Sequence, residues 1–412
     1  MTRASMHRVR VWGAAGALVG AVCACEPQSH LLAVRAGVDA GASESFDAAS
    51  PSSPPADGQG REARAPLDMG EPATPPRVDE EAFITQVAKL LWRGAPDATL
   101  AEAVRNPGAA TPQDLENVVR TALRDERSGR GLSAFTREWL DLEPLERSDD
   151  ATLSDVKMKS QEVQAFVIFA YRSQDALDDF LARRPTRFRF RPSAFDPGNF
   201  KDLRLGSYED NTRSGLLSLP GVVVRAGSLQ SVSQFILSDE PLYNLPARGV
   251  FVLEKVLCAK TPTPPGPTRP LVRTKGDTTV DRYRSLYEPE CLACHKEIDG
   301  VGTLFEDYDR LGNHRTEENG FPTLPRWTLT LESPGVKGLG IEEFGTRVVT
   351  SVRAYQCHLA HWWKYLTGKP VDLENPEQRA LAEELANAQA DVQEFPVRLL
   401  LSEAFLDRFV VP

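Results

Sequence analysis

The sequence predicts a mostly α-helical protein with minor β structure, arranged as two helical domains behind an unordered leader. Three observations carry that prediction. Apolar residues recur at helical spacing from Asp79 onward. Residues 25–78 have no such period and are dominated by Ala, Ser, Pro, Gly, Asp and Glu, so nothing there offsets the entropy of ordering. The proline-rich break "TPTPPGPTRP" (Thr261–Pro270) then divides the periodic part into a helical domain over 79–275 and a second helical domain over 276–412. A chain of 412 residues, 41% hydrophobic and 26% charged, is long enough to bury a sizeable core. Its net charge of −10 argues against nucleic-acid binding.

The elements follow in order. "DEEAFITQVAKLLWRG" places Phe83, Ile84, Val87, Leu90 and Leu91 on one helical face. "PDATLAEAVRNPG" is a short helix capped by Asp97. "TPQDLENVVRTALRDERSG" opens with Thr111 as N-cap, Pro112 at N1 and Asp114 at N3, and lines Leu115, Val118, Val119 and Leu123 along one side. "SAFTREWLDL" and "LSDVKMKSQEVQAFVIFAYRSQDALDDFLAR" add further helices, and "RFRFRP" a short strand. Residues 190–246 are loop-rich, after which "PARGVFVLEKVLCAK" is one more helix. In the second domain "TVDRYRSLYEPE" is helical and "WTLTL" (Trp327–Leu331) a strand. "IEEFGTRVVTSVRAYQCHLAHWWKYLTGK" is expected as one long helix stopped by Gly368, with Phe344, Val348, Val352, Tyr355 and Leu359 on its face. Asn375 caps "NPEQRALAEELANAQ", and "FPVRLLLSEAFLDRF" is the closing helix.

The first 24 residues form a secretory signal peptide. Arg3, Arg8 and Arg10 precede the apolar run Val11–Ala24, and small residues stand at Val22 and Ala24 before Cys25. Cleavage after Ala24 removes three arginines and takes the net charge from −10 to −13. It also leaves Cys25 at the new N-terminus, where "VCAC" is similar to a bacterial lipoprotein signal. A lipid on Cys25, and an exported, periplasmic or outer-membrane location, are therefore expected, with simple secretion as the alternative. The membrane is then a partner through that N-terminal anchor. Residues 25–78 would act as a disordered linker, with a reach on the order of 40 Å.

"CLACHKEID" carries the chemistry. Cys291, Cys294 and His295 form a C-x-x-C-H array in a chain with six cysteines and six histidines. Two cysteines at this spacing can each form a thioether to one haem vinyl group, and the next histidine can ligate the iron. One covalently attached haem c is the cofactor expected, in a cytochrome c-like domain. A zinc site would need two more ligands, such as Cys258 and Cys357. A thioredoxin-like dithiol would need a βαβ context. For the second axial position no methionine follows the motif; of Met1, Met6, Met69 and Met158, the last lies in the first domain. His361 and His314 are the candidate distal ligands, with an open or non-histidine position as the alternative, and His358 lies three residues from His361. Trp362, Trp363, Tyr365, Phe305 and Tyr308 are either porphyrin wall or ordinary core. Glu306, Asp307 and Asp309 either steer a cationic partner or form a solvated face. Cys258 and Cys357 remain as a disulfide or as two buried thiols.

The order of segments resembles the planctomycetal-type cytochrome c proteins, exported bacterial multi-module proteins of unknown function. The residues that carry the resemblance are "RSGLLSLPGVV" (Arg213–Val223), "ARGVFVLEKVLCAKTPTPP" (Ala247–Pro265), "CLACHKEIDGVGTLFEDYDRLGNHR" (Cys291–Arg315), "CHLAHWWKYLTGK" and "VRLLLSEAFLDRF". The likeness covers roughly residues 80–412. It implies a mostly helical protein with one haem c on Cys291, Cys294 and His295, and no known reaction. The chain departs from the family pattern at Gly300, where proline is usual, and at His361, where glutamine is usual. Electron transfer to a redox partner protein is the function expected. A haem peroxidase, a redox enzyme linked to polymer breakdown, and a binding or assembly protein with a structural haem site are the alternatives.

Overall fold

A computed structural model describes residues 77–105, 107–146, 156–183, 189–190, 195–199, 205–206, 212–227, 244–261, 278–285, 289–331, 334–370 and 372–411. The signal peptide, Cys25, nearly all of the linker and most of the proline-rich break lie outside the described residues. Among those described, no helix is long and apolar enough to cross a membrane.

The fold is mostly α with minor β, as the periodicity predicts. It begins two residues before the expected end of the linker. Strand β1 (Arg77–Val78) pairs antiparallel with β8 (Val410–Val411), bringing the first and last described elements together. Helix α1 (Glu80–Val87) is capped by the Asp79 carboxylate, which accepts from Ala82 N at 3.0 Å, and runs on through a π turn to Trp92. The short α2 (Ala98–Ala101) is capped by Asp97. Helix α3 (Pro112–Arg124) starts with the expected capping box, Thr111 and Asp114 each accepting from the other's backbone amide. Then come α4 (Ser128–Leu140), α5 (Glu143–Glu146) and α6 (Val156–Ser173).

Strands β2 (Arg189–Phe190) and β3 (Leu205–Gly206) pair next. The loop-rich region hides one helix that composition missed, α7 (Pro220–Ala226), which begins at Pro220. Helix α8 (Leu245–Lys255) leads to α9 (Thr279–Ser285) and α10 (Pro289–Gly302). Two small ribbons follow, β4 (Glu317–Glu318) with β5 (Phe321–Pro322), and β6 (Arg326–Leu329) with β7 (Val336–Leu339). The expected single long helix is two pieces, α11 (Gly340–Phe344) with its π turn to Val349, and α12 (Val352–Thr367). Ser351 makes the break: its backbone is extended and its hydroxyl accepts from Ala354 N, so it caps α12. Gly368, at φ +69°, ends α12 as expected. Asn375 caps α13 (Pro376–Asn387). The closing helix is also split, into α14 (Glu394–Leu400) and α15 (Glu403–Leu406), with an extended Ser402 between them.

One hydrophobic cluster draws on both sides of residue 275, from Phe83 through Phe251 and Phe305 to Phe405. Its centre is aromatic. Phe135 of α4 stacks on Trp362 of α12 with centroids 3.9 Å apart, with Trp139 against Phe135 and Tyr171 against Trp362, and Phe180 and Phe395 pack on His358 beside them. Trp362, Tyr365 and Phe305 are core packing. Trp362 Nε1 donates to Tyr171 Oη (2.6 Å) and Tyr365 Oη to Leu90 O (2.9 Å), while Phe305 is fully buried.

Candidate functional site

Helix α10 positions the C-x-x-C-H array. Pro289 stands at its start, and Cys291, Cys294 and His295 occupy its first half. The second half packs on α8 at very short range. A Cβ at Gly249 would overlap the carbonyl oxygen of Ile298, and one at Gly302 would overlap that of Leu245. Because Gly302 meets Leu245 and Ile298 meets Gly249, the two helices run antiparallel. The cysteine-bearing end of α10 therefore points toward the Lys255 end of α8.

The turn after α10 is clamped from behind. Buried Arg248 donates to the carbonyls of Phe305 (2.9 Å), Tyr308 (3.0 Å) and Asp309 (2.7 Å). Lys159 of α6 donates to Leu311 O (2.9 Å), and Arg213 to Gly312 O (2.7 Å). The acidic run here is engaged by the fold rather than free in solvent. Asp309 accepts from the amides of Leu311 and Asn313 (2.8 Å each), Asp307 accepts from Thr323 Oγ1 (2.7 Å), and Glu306 is buried. Burial, then the nearby Glu318, pushes Glu306 up to about 7.

His295 is partly buried and its Nδ1 lies 3.2 Å from Asp299 Oδ1, one turn along α10. A carboxylate accepts, so Nδ1 carries the proton and Nε2 the lone pair. That is the tautomer an iron ligand needs, with the supporting carboxylate that metal-bound histidines use. Asp299 is itself buried, and its charge, after burial, helps push the Tyr283 phenol of α9 upward. The His295–Asp299 pair thus fits an iron ligand and its supporting carboxylate. Cys294 is disulfide-bonded in this structure, so reduction to the thiol must come before a thioether can form. Beside α10, Glu297 holds the Thr330 amide at 2.8 Å. A cleft of about 40 Å³ is lined by Leu257, Leu329, Leu331, Val348, Arg347 and Arg353, none of them on α10.

The two expected distal candidates, His314 and His361, sit on other elements than α10. His314 sits beyond the end of α10, its ring edge-on to Tyr308 at 5.8 Å. His361 is on α12 beside a Cys258–Cys357 disulfide, which the structure forms across a Cα–Cα distance of 5.2 Å. His358 is buried in the aromatic core, where Tyr171 Oη donates to its Nε2 at 2.9 Å. Burial holds His358 well below the usual imidazole range. Sequence reasoning missed Asp299, although its spacing four residues after His295 on one helix was the available signal.

The chain matches two domain families of planctomycete-type cytochrome c proteins. Two family models establish this: PSD4, protein of unknown function (DUF1592), matches residues 80–187, and PSCyt3, protein of unknown function (DUF1588), matches residues 213–318. The second match runs through residue 275, where the sequence suggested a domain boundary. No curated protein and no solved structure matches the chain.

Proposed function

We propose that this chain is an exported c-type haem protein that transfers electrons to a partner protein, held at a membrane by a lipid on Cys25. One haem is bound by thioethers to Cys291 and Cys294, with His295 Nε2 on the iron. When bound, that group supplies a one-electron couple. The observation that supports this best is the His295–Asp299 contact, which fixes the imidazole in the ligating tautomer. Export supplies the compartment in which such attachment occurs, and the acidic chain gains from a covalent tether.

Asp299 also supports the second candidate, a haem peroxidase. A carboxylate on the proximal imidazole increases its electron donation and favours the oxidised metal. Natively matured protein distinguishes the two by its optical spectrum. Six-coordinate low-spin haem supports electron transfer, and high-spin resting haem supports the enzyme. In His295→Ala the reduced-state absorption bands should disappear; an unchanged spectrum would remove His295 as ligand. Asp299→Asn should keep the intact-mass increment of about 600 Da from the haem. It should also raise the midpoint potential by tens of millivolts, since a neutral amide accepts more weakly than a carboxylate.

A further inference from the structure

The disulfide between Cys258 and Cys357 has an unusual neighbour. His361 Nε2 lies 3.5 Å from Cys357 Sγ and 3.7 Å from Cys258 Sγ. The Cys357 sulfur also has the carbonyl oxygens of Glu254 and Lys255 at 3.9 Å and 3.8 Å. A disulfide sulfur has no proton to give; the Lys255 carbonyl accepts instead from Trp139 Nε1 at 2.9 Å, and the Glu254 and Lys255 carbonyls both act as acceptors toward His361. The donor atoms of Cys258, Cys357 and His361 all lie within 4.8 Å of one another. Metal–sulfur bonds of about 2.3 Å and metal–nitrogen bonds of about 2.0 Å put sulfur and nitrogen about 3.7 Å apart in a trigonal site. The two observed nitrogen–sulfur distances already match that spacing, and only the two sulfurs must separate.

We propose that Cys258, Cys357 and His361 form a second, redox-gated metal site, a Cys₂His set for a soft monovalent ion, Cu⁺. Reduction opens it. A dithiol reductant gives two electrons and two protons to the Cys258–Cys357 bond, leaving two thiols, and itself becomes a disulfide. Each thiol then loses its proton as the ion binds, and the imidazole supplies the third donor. Two thiolates and Cu⁺ carry one net negative charge, and Lys255 and Lys364 stand three residues from Cys258 and His361 respectively. Soft sulfur donors and three-coordination favour Cu⁺ over Zn²⁺, which takes four ligands. Cys258 and His361 are partly exposed, which gives the ion an approach, while Cys357 is buried. The site joins the end of α8 to α12 and shares no residue with the array on α10.

The test uses natively matured protein, reduced anaerobically with a phosphine and desalted. Cu⁺ is then titrated against a chromogenic chelator, Zn²⁺ is titrated separately, and native mass spectrometry counts the ions. The reduced wild type should bind one more Cu⁺ per chain than the reduced Cys258→Ser variant, and the oxidised wild type should bind none at this site. The comparison holds whether or not the α10 array carries haem, so failure here is separate from failure of the haem assignment. His361→Gln keeps the disulfide when oxidised. Once reduced, it should bind Cu⁺ more weakly by at least the roughly tenfold that loss of even a supporting contact costs. Equal copper counts in wild type and Cys258→Ser, unchanged affinity in His361→Gln, or tighter binding of Zn²⁺ than Cu⁺ would each overturn the proposal.

Discussion

The molecule holds two cysteine–histidine constellations built in opposite ways. On α10, Cys291, Cys294 and His295 are set by adjacency in sequence on one helix, with Cys294 and His295 partly exposed. At α12, Cys258 meets Cys357 across 99 residues, and His361 joins them through the helical turn. The first is written in the local spacing and uses little of the tertiary fold. The second exists only because α8 ends against α12. The same residue types therefore give a portable motif in one region and a fold-dependent cluster in the other. Breaking the first should change chemistry and spare stability, whereas breaking the second should do the reverse.

The sharpest test of that contrast is removal of the long-range crosslink. In Cys258→Ala/Cys357→Ala, stability to urea should fall by up to about 4.7 kcal/mol, the chain-entropy cost of losing a loop of this length. The reduced-state haem bands of that variant should be unchanged. A stability loss as large in Cys294→Ala would erase the distinction. Next in size is Tyr171→Phe, in the aromatic core beneath α12. It removes the acceptor for Trp362 Nε1 and the donor to His358 Nε2, both buried. His358 Nδ1 already has no hydrogen-bond partner among the described residues, so little can compensate. A loss of about 2 kcal/mol or more is expected by thermal unfolding.

The smallest effect is a pH dependence of opposite sign in the two regions. Burial, then Lys255 and Lys364, holds His361 down to about 3 from an ordinary 6.5. Between those values the unfolded chain takes up a proton that the folded chain refuses, so stability falls as pH drops below about 6.5. His358 acts in the same direction. Glu306 is pushed up to about 7 from 4.5, so the folded chain keeps a proton that the unfolded chain has lost. That contribution makes stability fall as pH rises from about 4.5 to 7, and it levels off above. Urea midpoints measured against pH should show a flatter acid limb in His361→Gln and a flatter limb above pH 5 in Glu306→Gln. Parallel curves would show that neither group titrates as assigned.

The difference in construction also explains what could be seen in the sequence. Helix starts were legible because their signals are local: Asp97, Thr111 with Pro112, and Asn375 with Pro376 each cap the helix they were expected to cap. The array on α10 was legible for the same reason. The break at Ser351 was not, because the apolar period of Phe344, Val348, Tyr355 and Leu359 continues across it while the backbone does not. The acidic run after α10 looked like surface, since only the fold brings Arg248, Lys159 and Arg213 to hold that turn. Asp299 was within reach of helical spacing. The Cys258–Cys357–His361 cluster was not, because nothing within the α8 segment or the α12 segment alone says that they meet.

The pairing of β1 with β8 has a mechanical consequence. Arg77 faces Val411 and Val78 faces Val410, so tension arriving along the polypeptide ahead of Arg77 loads these two pairs one after the other, like a zip. Such a geometry yields at low force. The pull then passes to Phe83, wedged edge-on against Phe409 at 5.7 Å, and from there into the interior. Any stretching of the chain from its leading side would thus detach the trailing strand first and leave the α10 helix untouched.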